Sequence, residues 1–163
     1  MKQTRTSAET SINAKHLPAI YSKHILFRGT VIDFGCGRYT EHIKASMPTW
    51  CQWYGYDPFN QPAEINAAAA AQQADIIICS NVLNVIDSDD AIMDALQWMH
   101  DHVKQSGVVY ITVYTGDGSR IGKPTQGGKS WQRNEQLRHY RHFVHDAGFD
   151  FEMRNGMLIC FKR

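Results

Sequence analysis

The chain has 163 residues, 43% of them hydrophobic, 11% aromatic and 20% charged, with a formal net charge of +1. That is enough for one domain with a buried core, and the aromatic content excludes a disordered polar chain. No apolar run nears the ~18 residues of a membrane span, and the opening MKQTRTSAETSINAK lacks the apolar stretch of a secretory signal. Cys36, Cys51, Cys79 and Cys160 form no CxxC pair, so reduced thiols in a cytoplasmic protein are expected rather than disulfides or a zinc knuckle.

In chain order, residues 1–13 are polar and read as a flexible lead-in to a single domain spanning 1–163. TVIDF (30–34) reads as a strand running into Gly35 and Gly37, and residues 39–47 as a helix. WCQWYGY (50–56) is a second strand ending at Asp57-Pro58, and the alanines at 67–71 suggest a short helix. ADIIICS (74–80) has the continuous apolar pattern of a strand buried on both faces. Asp87 or Ser88 caps the next helix, whose Ile92, Leu96, Met99 and Val103 recur at helical spacing, with Gly107 as its stop. GVVYITVY (107–114) is another buried strand, residues 115–130 read as a loop, and Trp131 to Ala147 as a last helix with Leu137, Tyr140, Val144 and Ala147 on one face. Residues 149–163 read as a hairpin around Asn155-Gly156. Strands alternating with helices and closing on a hairpin predict a mostly parallel α/β sheet with an antiparallel edge.

The small net charge conceals an uneven distribution. Residues 33–101 hold ten acids and two cations, whereas residues 119–142 hold six cations (Arg120, Lys123, Lys129, Arg133, Arg138, Arg141) and the single acid Glu135. A segregation of this kind marks a surface for an anionic partner. Ligands of open α/β sheets bind at the carboxyl ends of strands. Three such ends carry informative residues: Asp33-Phe34-Gly35-Cys36-Gly37, Asp57-Pro58-Phe59, and Ser80-Asn81. The glycines permit a tight turn and a close backbone approach. A carboxylate at Asp57 suits a ribose diol. The structural alternative for Asp57 is a plain turn or cap aspartate.

VIDFGCG resembles motif I of the class I S-adenosylmethionine-dependent methyltransferases, Asp57 matches the acid that closes their second strand, and ADIIICSNVLNVID is similar to their motif IV. The resemblance covers residues 29–115. It implies a Rossmann-like, doubly wound fold with S-adenosylmethionine as cofactor. It also implies that Asp33 orients the methionine amino group, that Gly35 and Gly37 pass beneath the ligand, and that Asp57 holds the ribose. By the same resemblance, Ser80 and Asn81 line the methionine part, and Pro58 and Phe59 flank the adenine. Only 17 residues separate Asp57 from Asp75, so the family's third strand is expected to be shortened or missing. A fainter likeness joins NVLNVID and residues 116–138 to small methyltransferases of phage and DNA-modification type.

The 115–133 segment follows a parallel strand's carboxyl end and is expected to lie over the pocket mouth. Arg120, Lys123, Lys129, Trp131, Gln132 and Arg133 are its candidates for binding substrate, and Asn81, Asp117 and Lys129 the candidates for catalysis. Cations interleaved with Trp131 suit phosphates and a stacked base, so methyl transfer to an anionic acceptor is expected, with nucleic acid somewhat ahead of a small metabolite. The chain has no room for a separate target-recognition domain, so a partner protein supplying recognition is the corollary for nucleic acid. Two alternatives stay open: an enzyme that cleaves S-adenosylmethionine, and a non-catalytic cofactor- or nucleic-acid-binding subunit. Cys36 and Cys79 read as packed residues, His139, His142 and His145 as a solvated basic face without metal, and Trp50, Trp53, Met93 and Met99 as core.

Overall fold

A computed structural model of the chain describes residues 16–128 and 130–163, so the 1–13 lead-in and Lys129 lie outside the described residues. A 3-10 turn at Ala19–Ser22 precedes β1 (Gly29–Phe34), α1 (Glu41–Ser46), β2 (Cys51–Tyr56), α2 (Ala63–Ala70) and β3 (Ala74–Ser80). Then come α3 (Asp89–His102), β4 (Val103–Thr112), a small hairpin of β5 (Lys123–Thr125) and β6 (Ser130–Gln132), α4 (Arg141–Asp146), β7 (Phe149–Arg154) and β8 (Met157–Lys162). Six strands form one sheet in the order β2-β1-β3-β4-β8-β7. The first four run parallel, and β8 and β7 close the sheet antiparallel. This is the expected doubly wound sheet. Between β2 and β3 there is α2 and no strand, which leaves β2 at the sheet edge.

Period-two alternation sends the apolar residues of the central parallel strands to two opposite faces. In β1 and β3, Ile32, Phe34, Ile77 and Cys79 join Leu96, Met99, Tyr140 and Val144 on the α3/α4 face. Val31, Ile76 and Ile78 face the other way, against Ile20 and Ile25 of the N-terminal segment. At their centres β1 and β3 are buried on both sides, the condition for a parallel sheet, whereas the edge strand β2 stays largely half-buried. Ser88 caps α3 by accepting from the Ala91 N–H at 3.1 Å, with Asp89 and Asp90 in the first turn. The Asn155-Gly156 hairpin adopts left-handed backbone at both positions, φ 53° and 70°, as its turn type requires.

Three expectations are corrected. Gly107 does not end α3: the helix stops at His102 and β4 begins at once. Gly107 instead lies inside β4 beside an irregularity in its pairing with β3, where a Cβ would stand 2.9 Å from the Ala74 carbonyl oxygen. Trp131 to Ala147 is not one helix. Ser130–Gln132 pair with β5, Asn134 is left-handed at φ 59°, Gln136 is extended, and helical backbone starts only at a 3-10 turn, Leu137–Tyr140. Tertiary hydrogen bonds from Gln132 and Asn134, described below, outweigh helix propensity there. Trp50 is not core: it is 72% exposed, its indole donating to the Phe27 carbonyl at 3.3 Å.

Gly29 starts β1 with φ 59°, and a Cβ there would fall on the Asp75 carboxylate. That carboxylate accepts the Thr30 N–H at 2.8 Å and the Lys104 ammonium at 2.8 Å. Gly29→Ala is expected to lower the free energy of unfolding by about 1–3 kcal/mol through overpacking and a disfavoured φ, measured as a lower urea midpoint at unchanged slope.

Candidate functional site

The chain moves from β1 outward to β2 and then returns to the other side of β1 for β3, so the topological switch lies between β1 and β3. The two strand ends touch there. Gly35 turns with φ 76°, and a Cβ on it would collide with Val82 in the loop after β3. Gly35 N–H and Cys36 N–H both donate to the Tyr56 carbonyl, at 2.7 and 3.4 Å, which ties the glycine turn to the end of β2. The motif and both neighbouring strand ends therefore meet at one place, the position at which such sheets bind ligands.

Two carboxylates stand there. Asp33 is 3% exposed and accepts the Tyr21 hydroxyl at 2.6 Å, while the Trp53 indole donates to that same hydroxyl at 3.2 Å. Burial pushes the Asp33 carboxyl up to about 7, partly opposed by the Tyr21 hydrogen bond and reinforced by the negative charge of Asp57. Burial, and next the charge of Asp33, push the Tyr21 hydroxyl up as well. Asp57 is 5% exposed and accepts four donors. Its Oδ1 takes the N–H groups of Phe59 and Asn60, each at 3.0 Å, and its Oδ2 takes Gly37 N–H at 3.0 Å and the Asn60 side-chain amide at 3.1 Å. Asp57 is thus a turn aspartate and a clamp on the glycine turn at once. Gln61 adds a second clamp, its amide donating to the Gly37 carbonyl at 2.6 Å.

The other expected residues distribute as follows. Pro58 and Phe59 are exposed on the turn after β2. Ser80 accepts from the Thr112 hydroxyl at 3.2 Å, and Asn81 is exposed and left-handed at φ 57°, its N–H held by the Thr112 carbonyl. Cys36 is half-buried, and desolvation raises its thiol far above the ordinary range, so it is no thiolate nucleophile. Phe34 is corrected: its ring lies on the α3 face, 5.4 Å from Tyr56 and 5.2 Å from Trp98, on the opposite side of the sheet from Asp33. Tyr21, Asn60 and Gln61 were missed in the sequence. No spacing links Tyr21 to Asp33; only the fold brings the two together.

The 115–133 segment is a docked hairpin rather than a loop. Buried Asn84 donates to Gln132 at 3.0 Å, and its backbone carbonyl accepts Arg133 N–H at 2.8 Å. Gln132 donates to the Tyr114 carbonyl at 2.9 Å, and Asn134, 1% exposed, donates to the Ile121 carbonyl at 2.8 Å. Gln132 is consequently a scaffold residue, correcting its place among the substrate contacts. Arg133 donates to the Ile86 carbonyl at 3.2 Å and pairs with Asp89. Lys123 pairs with Asp117, whose carboxyl it holds well below the usual range, with help from Ser119. A carboxylate so acidic is a poor general base near neutrality.

A doubly wound α/β sheet with two carboxylates and a glycine turn at its switch point has the arrangement at which such folds bind ligands across their strand ends. Residues 13–151 match the family described as "Methyltransferase domain", and the chain belongs to that family. Among solved structures it is similar to a Burkholderia thailandensis 1,6-didemethyltoxoflavin-N1-methyltransferase with bound 1,6-didemethyltoxoflavin and S-adenosylhomocysteine. That similarity has TM-score 0.63 and 16% identity over 87% of this chain and 73% of the other. It is also similar to an S-adenosylmethionine-dependent methyltransferase from Clostridium acetobutylicum, with TM-score 0.59 and 10% identity over 85% and 86% of the two chains. A third similarity is to KedS8, a sugar N-methyltransferase from Streptoalloteichus, with TM-score 0.56 and 12% identity over 95% and 97%. At these identities the likeness establishes the fold. No curated protein matches the chain.

Asp33 gives the fold a defined pH dependence. With its folded carboxyl raised to about 7, the folded chain holds a proton that the unfolded chain releases near pH 4. The associated stability is complete below pH 4 and is lost as pH rises through 7. The free energy of unfolding from urea titrations is expected to fall between pH 5 and 8, by up to roughly 1.4 kcal/mol per pH unit below 7, and Asp33→Asn is expected to flatten that slope.

Proposed function

We propose that the chain is an S-adenosylmethionine-dependent methyltransferase acting on a small polar acceptor. The carrying observation is the pair of buried carboxylates, Asp33 and Asp57, on adjacent strand ends with the Gly35–Gly37 turn clamped between them. The donor set fits the ligand. Asp33 offers a carboxylate for an ammonium, and Asp57 offers acceptors for a vicinal diol. Asp57 already takes four N–H groups, three of them from backbone. The Asn60 amide is the one donor able to rotate away, so ribose hydroxyls take its place. Pro58 and Phe59 offer an exposed apolar edge for the adenine, in place of residues from the third strand that this chain lacks.

When bound, the sulfonium supplies an activated methyl group. The chain's own part is orientation and exclusion of water, which contribute up to ~7–11 kcal/mol for well-aligned reactants. Ser80 and Asn81, fixed through Thr112 at the end of β3, border the site on the side of the docked hairpin. The choice of a small acceptor over nucleic acid reverses the expectation from charge alone. It rests on the state of the 119–142 cations: Arg133 is engaged by Asp89 and Lys123 by Asp117, so less charge faces outward than the count of six suggests. The relatives in solved structures include methyltransferases of a heterocycle and of a sugar.

Isothermal calorimetry with S-adenosylhomocysteine tests the reading. An ammonium placed beside Asp33 favours the ionised carboxylate, so binding releases a proton below pH 7. Affinity is expected to be roughly tenfold tighter at pH 8 than at pH 6, and Asp33→Asn is expected to weaken binding and remove the pH dependence. Absence of heat at any pH would overturn the proposal.

A further inference from the structure

The N-terminal segment packs over one face of the sheet and reaches the strand-end site through Tyr21. The Tyr21 N–H donates to the Pro18 carbonyl at 2.9 Å and closes the 3-10 turn Ala19–Ser22. Ile20 and Ile25 are buried on the face that also carries Val31, Ile76 and Ile78. Between these two anchors the Tyr21 ring stacks on Phe27, with centroids 5.6 Å apart and planes at 15°. Lys23 ties the segment to the β7–β8 turn, its ammonium donating to the Asn155 carbonyl at 2.6 Å. Tyr21 is therefore fixed by packing on both sides of it in the chain. Its hydroxyl donates to Asp33 Oδ2 at 2.6 Å and accepts the Trp53 indole N–H at 3.2 Å. Asp33 belongs to β1 and Trp53 to β2, so one hydroxyl joins the segment to both strands that end at the site. An indole N–H can only donate, which leaves the single proton of the hydroxyl for Asp33. Asp33 Oδ1 takes no hydrogen bond among the described residues.

This division of the two oxygens defines a role. A buried carboxylate without donors takes up a proton rather than hold its charge. The titratable groups facing Asp33 are Tyr21 from the N-terminal segment, Asp57 after β2, Cys36 in the glycine turn and Cys79 of β3. None of the four is a cation. Burial raises the Asp33 carboxyl, the Tyr21 hydrogen bond opposes that rise, and Asp57 adds to it. Tyr21 is thus the group in this set that favours the ionised form. We propose that Tyr21 is a positioning residue for donor binding: its hydroxyl holds one oxygen of Asp33 in place and leaves the other for the ammonium of S-adenosylmethionine. This rests on the methyltransferase reading above. Tyr21 acts through Asp33 and takes no part in methyl transfer. Where Asp33 is protonated, the only bond broken on binding is its O–H, and that proton passes to solvent.

The test is calorimetric titration of the full chain with S-adenosylhomocysteine across roughly pH 6 to 8.5, on either side of the Asp33 titration, for the parent and for Tyr21→Phe. The variant keeps the ring against Phe27 and loses only the hydroxyl. Loss of a donor that favours the carboxylate is expected to move the midpoint of the pH dependence upward by roughly one unit. Tyr21→Phe then binds about tenfold more weakly than the parent near pH 6 and within about twofold of it near pH 8.5. A loss by the same factor at every pH, as a merely structural role would give, or no loss at all, overturns the proposal and leaves the methyltransferase reading standing. In the Asp33→Asn chain, adding Tyr21→Phe is expected to change affinity by less than about twofold, with no trend in pH. A further pH-dependent loss there overturns the proposal, because Tyr21 would be acting on another group. Should Tyr21→Phe fail to fold, 3-fluorotyrosine at position 21 keeps the hydroxyl and makes it a stronger donor. The midpoint is then expected to fall below that of the parent, and an unchanged or raised midpoint overturns the proposal. Absence of S-adenosylhomocysteine binding by the parent chain overturns the methyltransferase reading and this inference with it.

Discussion

A parallel sheet covered on both faces confines polar chemistry to its strand ends, and every feature of the site follows from that constraint. Val31, Ile32, Ile77, Ile78 and Cys79 are fully buried, so the polar side chains of β1 and β3 are confined to the strand ends, Thr30 and Asp75 at one and Asp33 and Ser80 at the other. Asp33 is the buried one of the four, one residue short of the end of β1. Its carboxyl keeps a proton to near neutrality unless a partner stabilises its charge. The same constraint explains the glycine turn. The chain must reverse within a few residues and press against the loop after β3, and at Gly35 that excludes any Cβ.

The hairpin after β4 obeys a different logic. It buries little apolar surface and is held by side-chain amides, with Asn84, Gln132 and Asn134 each satisfied by specific partners. Such networks are stabilising only when completely satisfied, so they specify one docked geometry. The hairpin is thereby a rigid wall over the strand ends of β3 and β4, and its charged residues are consumed unevenly. Asp117 and Lys123 neutralise each other outside, whereas Arg120, Arg133, Asp87 and Glu135 face a common cavity.

The two halves of the site differ in how far the sequence disclosed them. Asp33, Gly35, Gly37 and Asp57 were legible because each sits at the end of a strongly patterned strand, where position in sequence implies position in space. The missing third strand was legible from the short interval between Asp57 and Asp75, and the sheet order agrees. Phe34 and Gln132 were misread because residue type and proximity say nothing about facing: one ring turns to the α3 side, and one amide turns inward to Asn84. Trp50 was assigned to the core on hydrophobicity, yet it lies just before an edge strand and is largely exposed among the described residues.

Hydrophobic periodicity and turn chemistry are local properties, and they alone determined the doubly wound sheet, the Ser88-capped helix, the Asn155-Gly156 hairpin and the strand-end carboxylates. Contacts between distant segments decided the rest. Tyr21 reaches Asp33 across the N-terminal segment, and residues 130–134 become strand and left-handed turn where helical spacing was read. These outcomes depend on hydrogen bonds whose partners are 12 to 48 residues apart. The free energy of such bonds exceeds the small differences in local propensity from which helix or loop is inferred.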